Sequence, residues 1–247
     1  MASTQSSLIY IGCAGWTLPV EDQERFPAGN SHLARYAAYF PAAEINSSFH
    51  KSHRPATYER WAASVPASFR FSAKLPKTIT HEKRLVGCGK LLDQFLGEVG
   101  ALGPKLGCLL VQMPPSLAYG PQAKRFFTAL KNRYTGAVAA EPRHASWFTP
   151  EADSTLSSLG IARVAADPAV VPRAAQPGGW PGIAYFRLHG SPRMYYSTYA
   201  RETLREYATQ VRSAAATSKS VWCMFDNTTL GAAVPKAIEL LSLTNRT

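Results

Sequence analysis

The sequence has no run of five or more lysines or arginines, no C-x-x-C pair, no low-complexity tract and no block of like charge. Without a basic run, its excess of positive charge is spread over a surface and not gathered in a tail. No apolar run approaches the ~20 residues a membrane span needs, so no membrane association is expected. The N-terminal MASTQSSLIYIG has neither a basic n-region nor a long apolar h-region, which argues against a signal peptide. Cysteine is scarce: Cys13, Cys88, Cys108 and Cys223 are all there is, and three lie in apolar strand-like runs. They read as buried free thiols, which fits a reducing cytoplasm. Nothing resembling a linker divides the chain, so residues 1–247 are expected to form one domain.

What is present is a large apolar fraction and a basic balance. Hydrophobic residues make up 46% of the 247 positions, enough to bury a sizeable core and to exclude disorder. Lys and Arg number 27 against 16 Asp and Glu, a net charge of +11. Such a field attracts anions, from phosphorylated metabolites to nucleic acid.

Short apolar runs alternate with amphipathic stretches. LIYIGC (8–13), AAEIN (42–46), FRFSA (69–73), LGCLLVQ (106–112), AVAAE (137–141), IARVAAD (161–167), IAYFRLH (183–189) and SVWCMFD (220–226) read as strands. Most are near-continuously apolar, as strands covered on both faces should be. Helices are expected near 31–40, 55–64, 89–102, 121–132, 149–159, 198–216 and 231–243. Eight strands at about 31 residues per unit predict a parallel α/β fold, and right-handed crossovers favour closure into a single (β/α)8 TIM barrel. One unit departs. After Asp167, PAVVPRAAQPGGWPG carries four prolines and three glycines, so an irregular crossover is expected there in place of a helix. Two long loops, AGWTLPVEDQERFPAG after strand one and the basic KLPKTITHEKRLVG after strand three, are expected on the barrel's C-terminal face, where barrel sites are built.

The strands end in polar side chains. Glu44 and Asn46 close the second, Lys74 follows the third, and Gln112 ends the fourth. Glu141 ends the fifth and is followed by Arg143 and His144, and Asp167 ends the sixth. Arg187 and His189 lie two apart on the seventh, hence on one face. Asp226 and Asn227 end the eighth. If all strands run to one rim, these groups converge on one mouth.

Together these motifs carry a resemblance. IGCAGW, EINSSFH (44–50), FRFSAK (69–74), TH (80–81), KLGCLLVQMPP (105–115), EPRHASW (141–147), YFRLHG (185–190) and FDN (225–227) resemble, in order and over nearly the whole chain, the YecE-like family, a domain of unknown function. The resemblance implies a TIM barrel and brings no reaction with it. His50 stands where the family commonly has Tyr, and Asp226–Asn227 where it commonly has two asparagines.

Four chemistries fit the mouth. Lys74, Arg143 and Arg187 could clamp an anion, guanidinium forks binding phosphate or carboxylate bidentately. Glu44 and Glu141 could serve as general acid and base. Glu141, Asp167, His189 and Asp226 resemble the metal ligands of sugar-isomerase-like and endonuclease-IV-like barrels, although three cations on the same rim would repel a metal. Lys74 could form a Schiff base with a carbonyl substrate. Rings in the top loops, Trp16, Phe49, His50, Trp147, Tyr195, Tyr196 and Tyr199, could stack a base or sugar, or cap the core.

The sequence therefore predicts an enzyme of hydrolase or lyase type acting on an anionic small molecule or nucleic acid, without metal or other cofactor. Glu44, Glu141, His189 and Asp167 are its candidate catalytic groups. Lys74, Arg143, Arg187, Asn46, Gln112, Asn227, Trp16, Trp147 and His144 are its candidate ligand contacts. A non-catalytic nucleic-acid-binding or ligand-sensing barrel is the alternative from another class.

Overall fold

A computed structural model describes residues 7–245 of the chain. The expectation about the extreme N-terminus falls largely on residues 1–6, outside the described part. The strands are β1 (Leu8–Cys13), β2 (Ala42–Ile45), β3 (Arg70–Lys74), β4 (Leu106–Gln112), β5 (Val138–Glu141), β6 (Ile161–Arg163), β7 (Ala165–Asp167), β8 (Gly178–Gly179), β9 (Ile183–Leu188) and β10 (Ser220–Phe225). The helices are α1 (His32–Ala37), α2 (Pro55–Ala63), α3 (Gly89–Val99), α4 (Pro121–Lys131), α5 (Pro150–Ser158), α6 (Arg201–Ala215) and α7 (Ala233–Thr244). Strand and helix alternate as the apolar periodicity requires, and α2, α4 and α5 each open with a proline, whose fixed φ suits a first turn.

The strands form a mixed α/β fold with two sheets, in the orders β1-β10-β9-β7 and β2-β3-β4-β5-β6-β8. All pairings are parallel except β6 with the two-residue β8. The ladder therefore does not run unbroken round eight strands, as the sequence led us to expect, and it is interrupted at two places. Between β1 and β2 only the bridge Ala14–Glu44 is formed. Gly12 lies at this seam, and a side chain there would meet the Ala42 carbonyl oxygen at 2.0 Å. Tyr36 of α1 spans it instead: its hydroxyl accepts from Cys13 N at 2.8 Å and donates to Ala42 O at 3.0 Å. The second interruption falls within 161–167, read from sequence as one strand. It divides at Val164, whose N–H donates to Ala140 O; β6 pairs with β5, and β7 pairs with β9.

The irregular crossover is present. Residues 168–182 hold one 3-10 turn, Pro172–Ala175, and the short β8, with no α-helix. Alternation along the strands separates two apolar clusters. Leu109, Val111, Phe186 and Cys223 face the helices, while Leu110, Tyr185, Trp222 and Met224 face the other way, where both sheets contribute to one small core. At the C-terminal ends of the strands this inner face turns polar. All four cysteines are buried and free. No helix among the described residues is long and apolar enough to cross a membrane.

Candidate functional site

At the centre of the polar inner layer stands Arg187 of β9, fully buried. Its Nε donates to Glu44 Oε2 at 3.0 Å and Nη2 to Glu44 Oε1 at 2.5 Å, a bidentate pair with β2. Nη2 also reaches Asp226 Oδ2 at 3.0 Å, and Nη1 reaches Glu141 Oε2 at 2.7 Å and His189 Nε2 at 3.4 Å. A guanidinium has five N–H donors, and four bonds from them go to carboxylates here. Three carboxylates from β2, β5 and the end of β10 thus close on one cation. Glu44 takes a further bond from Tyr185 Oη at 2.9 Å, and Tyr185 also bonds Ser72 Oγ at 2.9 Å. Burial, then the Glu44 charge, raises the Tyr185 phenol well above its ordinary pKa, so it stays protonated as a donor.

Beside this core, Arg143 bonds Glu141 Oε1 and His189 Nε2 through Nη2. His189 is fully buried; Nε2 lies 3.0 Å from Glu141 Oε1, and Nδ1 lies 3.0 Å from Asp226 Oδ2 but off the line of a hydrogen bond. Burial works against ionisation of Glu141, yet Arg143, Arg187 and His189 outweigh it and hold its carboxyl well below the usual range. The same balance of burial against Arg187, His189 and Lys74 leaves Asp226 lowered.

Above the layer opens a cavity of about 550 Å³, walled by Asn46, Lys74, Gln112, Arg143, Tyr195 and Asp226 among others. A slightly larger cavity, about 600 Å³, lies between the crossover and α6, but no ionisable side chain lines it. The ionisable strand-end side chains are therefore at the smaller one. Lys74 is 6% exposed, and among the described residues its Nζ makes no hydrogen bond or ion pair. It sits 4.2 Å from the centre of the Phe49 ring. Burial first, then Arg187, pushes its pKa from 10.5 down to about 8, against the opposing pull of Glu44, Asp226 and Glu141. Of the buried side-chain polar atoms without a partner among the described residues, four cluster at these strand ends: Asn46 Oδ1, Arg143 Nε, His189 Nδ1 and Asn227 Oδ1. Buried polar groups are nearly always satisfied; of these four, Asn46 and Arg143 also line the cavity.

The structure sorts the sequence-predicted residues. Glu44, Glu141, Arg187 and His189 come together, but as the buried floor, with the fork of Arg187 wholly used. Lys74, Arg143, Asn46 and Gln112 reach the cavity. Asp167 does not: it accepts from Tyr199 Oη at 2.7 Å, away from the carboxylate cluster. Asn227 is tied to Ser197 O at 3.0 Å through Nδ2. His144 accepts from Ser146 N and caps the short helix Ala145–Phe148. Trp147 is fully buried and donates to Leu117 O at 2.8 Å, and Trp16 packs edge-on against Trp61 and Phe71. The expected aromatic platform is assembled only in part: Phe49, His50 and Tyr195 wall the cavity, while Tyr196 stacks under Arg193.

Sequence reasoning met Tyr185, Ser72 and His81 inside the motifs YFRLHG, FRFSAK and TH but gave them no role. The first two had a signal, since Tyr185 shares the face of Arg187 and His189, and Ser72 that of Lys74. His81 lies in one turn of π-helix, Thr78–Glu82, inside the loop after β3. It lines the cavity, with a pKa lowered by burial and then by Lys74.

A family model described as "Protein of unknown function DUF72" matches residues 10–247. The UPF0759 protein YecE of Escherichia coli (strain K12) is 30% identical over 169 residues, covering 65% of this chain and 59% of that protein. The chain thus spans about three-fifths of the length of that curated relative. The crystal structure of a DUF72 family protein from Enterococcus faecalis superposes with a TM-score of 0.82 at 18% identity, over 97% of this chain and 96% of that one. Another, from Thermotoga maritima, gives 0.79 at 23% identity, over 96% and 98%. At these identities the two structures speak to the fold alone.

Proposed function

The chain belongs to the DUF72 family, and from there we propose that it is an enzyme that holds a small anionic ligand, phosphorylated or carboxylated, and acts on it by proton transfer of hydrolase or lyase type. The observation that carries this is Lys74, a buried amine with no partner of its own, facing a cavity of ligand size beside Arg143. An unpaired cation in reduced dielectric is costly, and an anion would offset that cost. Arg187 has no part in binding. It holds Glu141 and Asp226 ionised, pairs with Glu44, and so fixes the floor. Asp226 is the carboxylate in the cavity wall, with His189 behind it, which supports these two as the proton-transferring pair in place of Glu44 and Glu141. We read the two sheets as parts of one single-domain (β/α)8 barrel with the cavity at its C-terminal rim. The buried free thiols support a reducing compartment such as the cytoplasm.

The test is thermal unfolding across a phosphate titration at constant ionic strength, for wild type and Lys74→Met. Wild type should gain about 2.7 kcal/mol at a hundredfold excess over the dissociation constant, and the variant should lose most of that gain. No gain in wild type, or equal gains in both, would sink the anion site. The charge of +11 favours a second reading, in which the anion is a nucleic acid and the protein binds it without turnover. Binding that falls steeply with salt would support that reading.

A further inference from the structure

We infer that Lys74 is a nucleophilic amine, and that the cavity accepts a carbonyl compound which Lys74 captures as a Schiff base. The inference rests on the reading of this cavity as the active site, but it asks more of Lys74 than charge. A lysine that serves only as a fixed charge has to stay protonated, which a neighbouring carboxylate would secure. Lys74 is neither held by a carboxylate nor bonded to a backbone carbonyl, although Glu44, Glu141 and Asp226 all stand nearby. Arg187 takes up these three carboxylates through four hydrogen bonds and withholds them from the amine. The arginine therefore leaves Lys74 facing open space, with the Phe49 ring on one side.

The charged and titratable groups around Lys74 come from every neighbouring element. Glu44 is on β2, His50 follows the short helix Ser47–Phe49, Glu141 and Arg143 are at the end of β5, Arg187 on β9, Asp226 after β10, His81 in the π-helical turn, and Tyr195 on the loop after β9. Burial and the Arg187 charge favour the neutral amine, the form with a lone pair.

The step balances with these groups alone. The Nζ lone pair attacks the carbonyl carbon, a C–N bond forms, and the carbonyl π pair moves to oxygen. The nitrogen gives up a proton and the oxygen takes one, giving a carbinolamine. A second proton to that hydroxyl lets the C–O bond break; water leaves, and the nitrogen pair closes a C=N bond carrying one positive charge. Tyr195 and Asp226 share the cavity wall with Lys74 and are placed to relay these protons. Tyr195 is held there at φ 70, a strained value for a non-glycine residue of the kind that gathers at functional sites.

The experiment uses the full chain with sodium cyanoborohydride and either of two probes, glyoxylate, an anionic aldehyde, or glycolaldehyde, a neutral one. The modified lysines are mapped by peptide mass spectrometry over a range of pH. At neutral pH a lysine titrating at about 8 has a neutral fraction roughly two orders of magnitude above that of an ordinary one, part of which is offset by lower intrinsic nucleophilicity. Lys74 should therefore be trapped about tenfold faster than the surface lysines, with a rate rising to a plateau through about 8. Modification spread evenly over the lysines, or a Lys74 rate still rising in strong alkali, would overturn the inference. Because the mapping is done on wild type, it does not depend on a variant folding. Lys74→Arg adds a check, since it should keep phosphate binding while the adduct disappears. The two readings fail separately. Phosphate protection without trapping refutes the covalent role and leaves the anion site standing. Trapping by glycolaldehyde as fast as by glyoxylate, with no protection by phosphate, refutes the anion site and leaves the covalent role.

Discussion

Two arginines are buried on strands among the described residues, and they do opposite things. Arg163 of β6, 1% exposed, donates to Asp153 Oδ1 at 2.7 Å and to the carbonyls of Arg173 and Gln176, both at 3.2 Å. It stacks over Phe148 and so fastens the irregular crossover to the fold. One carboxylate and two backbone oxygens satisfy it, and Arg173 completes Asp153 from outside. Arg187 is equally buried but gathers three carboxylates, more negative charge than it can neutralise. Arg143 and Lys74 make up the difference, and Lys74 does so without an ion pair or hydrogen bond from its Nζ among the described residues. The difference teaches that a buried arginine is not itself a site. What marks one is the charge its network leaves unpaired, next to a cavity.

The largest expected effect breaks that comparison directly. Arg187→Met would leave Glu44, Glu141 and Asp226 together with much of their compensation gone, and breaking a buried pair costs about 3–5 kcal/mol. Arg163→Met leaves Asp153 still paired with Arg173 and two carbonyls without a donor, a loss of about 1–3 kcal/mol. Urea unfolding of both variants measures the two. Equal losses would mean that the Arg187 cluster is a structural network of the same kind as the Arg163 one.

Next in size is an alkaline signature confined to the site. Folded Lys74 releases its proton at about 8, whereas the unfolded chain does so at 10.5. Between these values the unfolded chain binds more protons, so this residue makes stability rise with pH, by on the order of 3 kcal/mol over the window. Other lysines and tyrosines titrate in the same range, so the quantity to measure is the wild type minus Lys74→Met difference in unfolding free energy. It should increase as pH rises through about 8 and level off above 10.5. A flat difference would mean that Lys74 is solvated and ordinary, removing the contrast with the crossover.

The sequence made the strands legible because seven of the expected runs are apolar segments buried on both faces, and every one became a strand within a residue or two. It also placed polar groups at the correct ends, since a parallel strand shows its direction by where it stops being apolar. The division at Val164 was hidden. Apart from Arg163, IARVAAD is apolar up to its last residue, and nothing in it says that its two halves pair with different neighbours. Nor could the sequence say which strand-end groups were already partnered. Asp167 looked like Glu141, but Tyr199, 32 residues on, turns it aside. Glu44 looked free until Arg187 and Tyr185 arrived from 143 and 141 residues away. Strand ends locate a rim, whereas pairing across it is a long-range property of the folded chain.

The smallest effect sharpens the comparison from the crossover side. Burial opposes ionisation of Asp153, but Arg163 and Arg173 prevail and lower its pKa from 3.8. A carboxylate with a depressed folded pKa contributes stability that is fully present above its unfolded value and is lost as pH falls through the folded one. Asp153→Asn should therefore cost about 1 kcal/mol at neutral pH, the size of a charge-assisted bond with a partly solvated partner. The difference from wild type should shrink as the solution is taken below 3.8. Phosphate binding at the Lys74 cavity should be unchanged in this variant, because its lining includes no residue of the Asp153 network. A variant that lost phosphate-dependent stabilisation would show that the two arginine networks are coupled through β6 and β7, and the division between a scaffold arginine and a site arginine would then have to be abandoned.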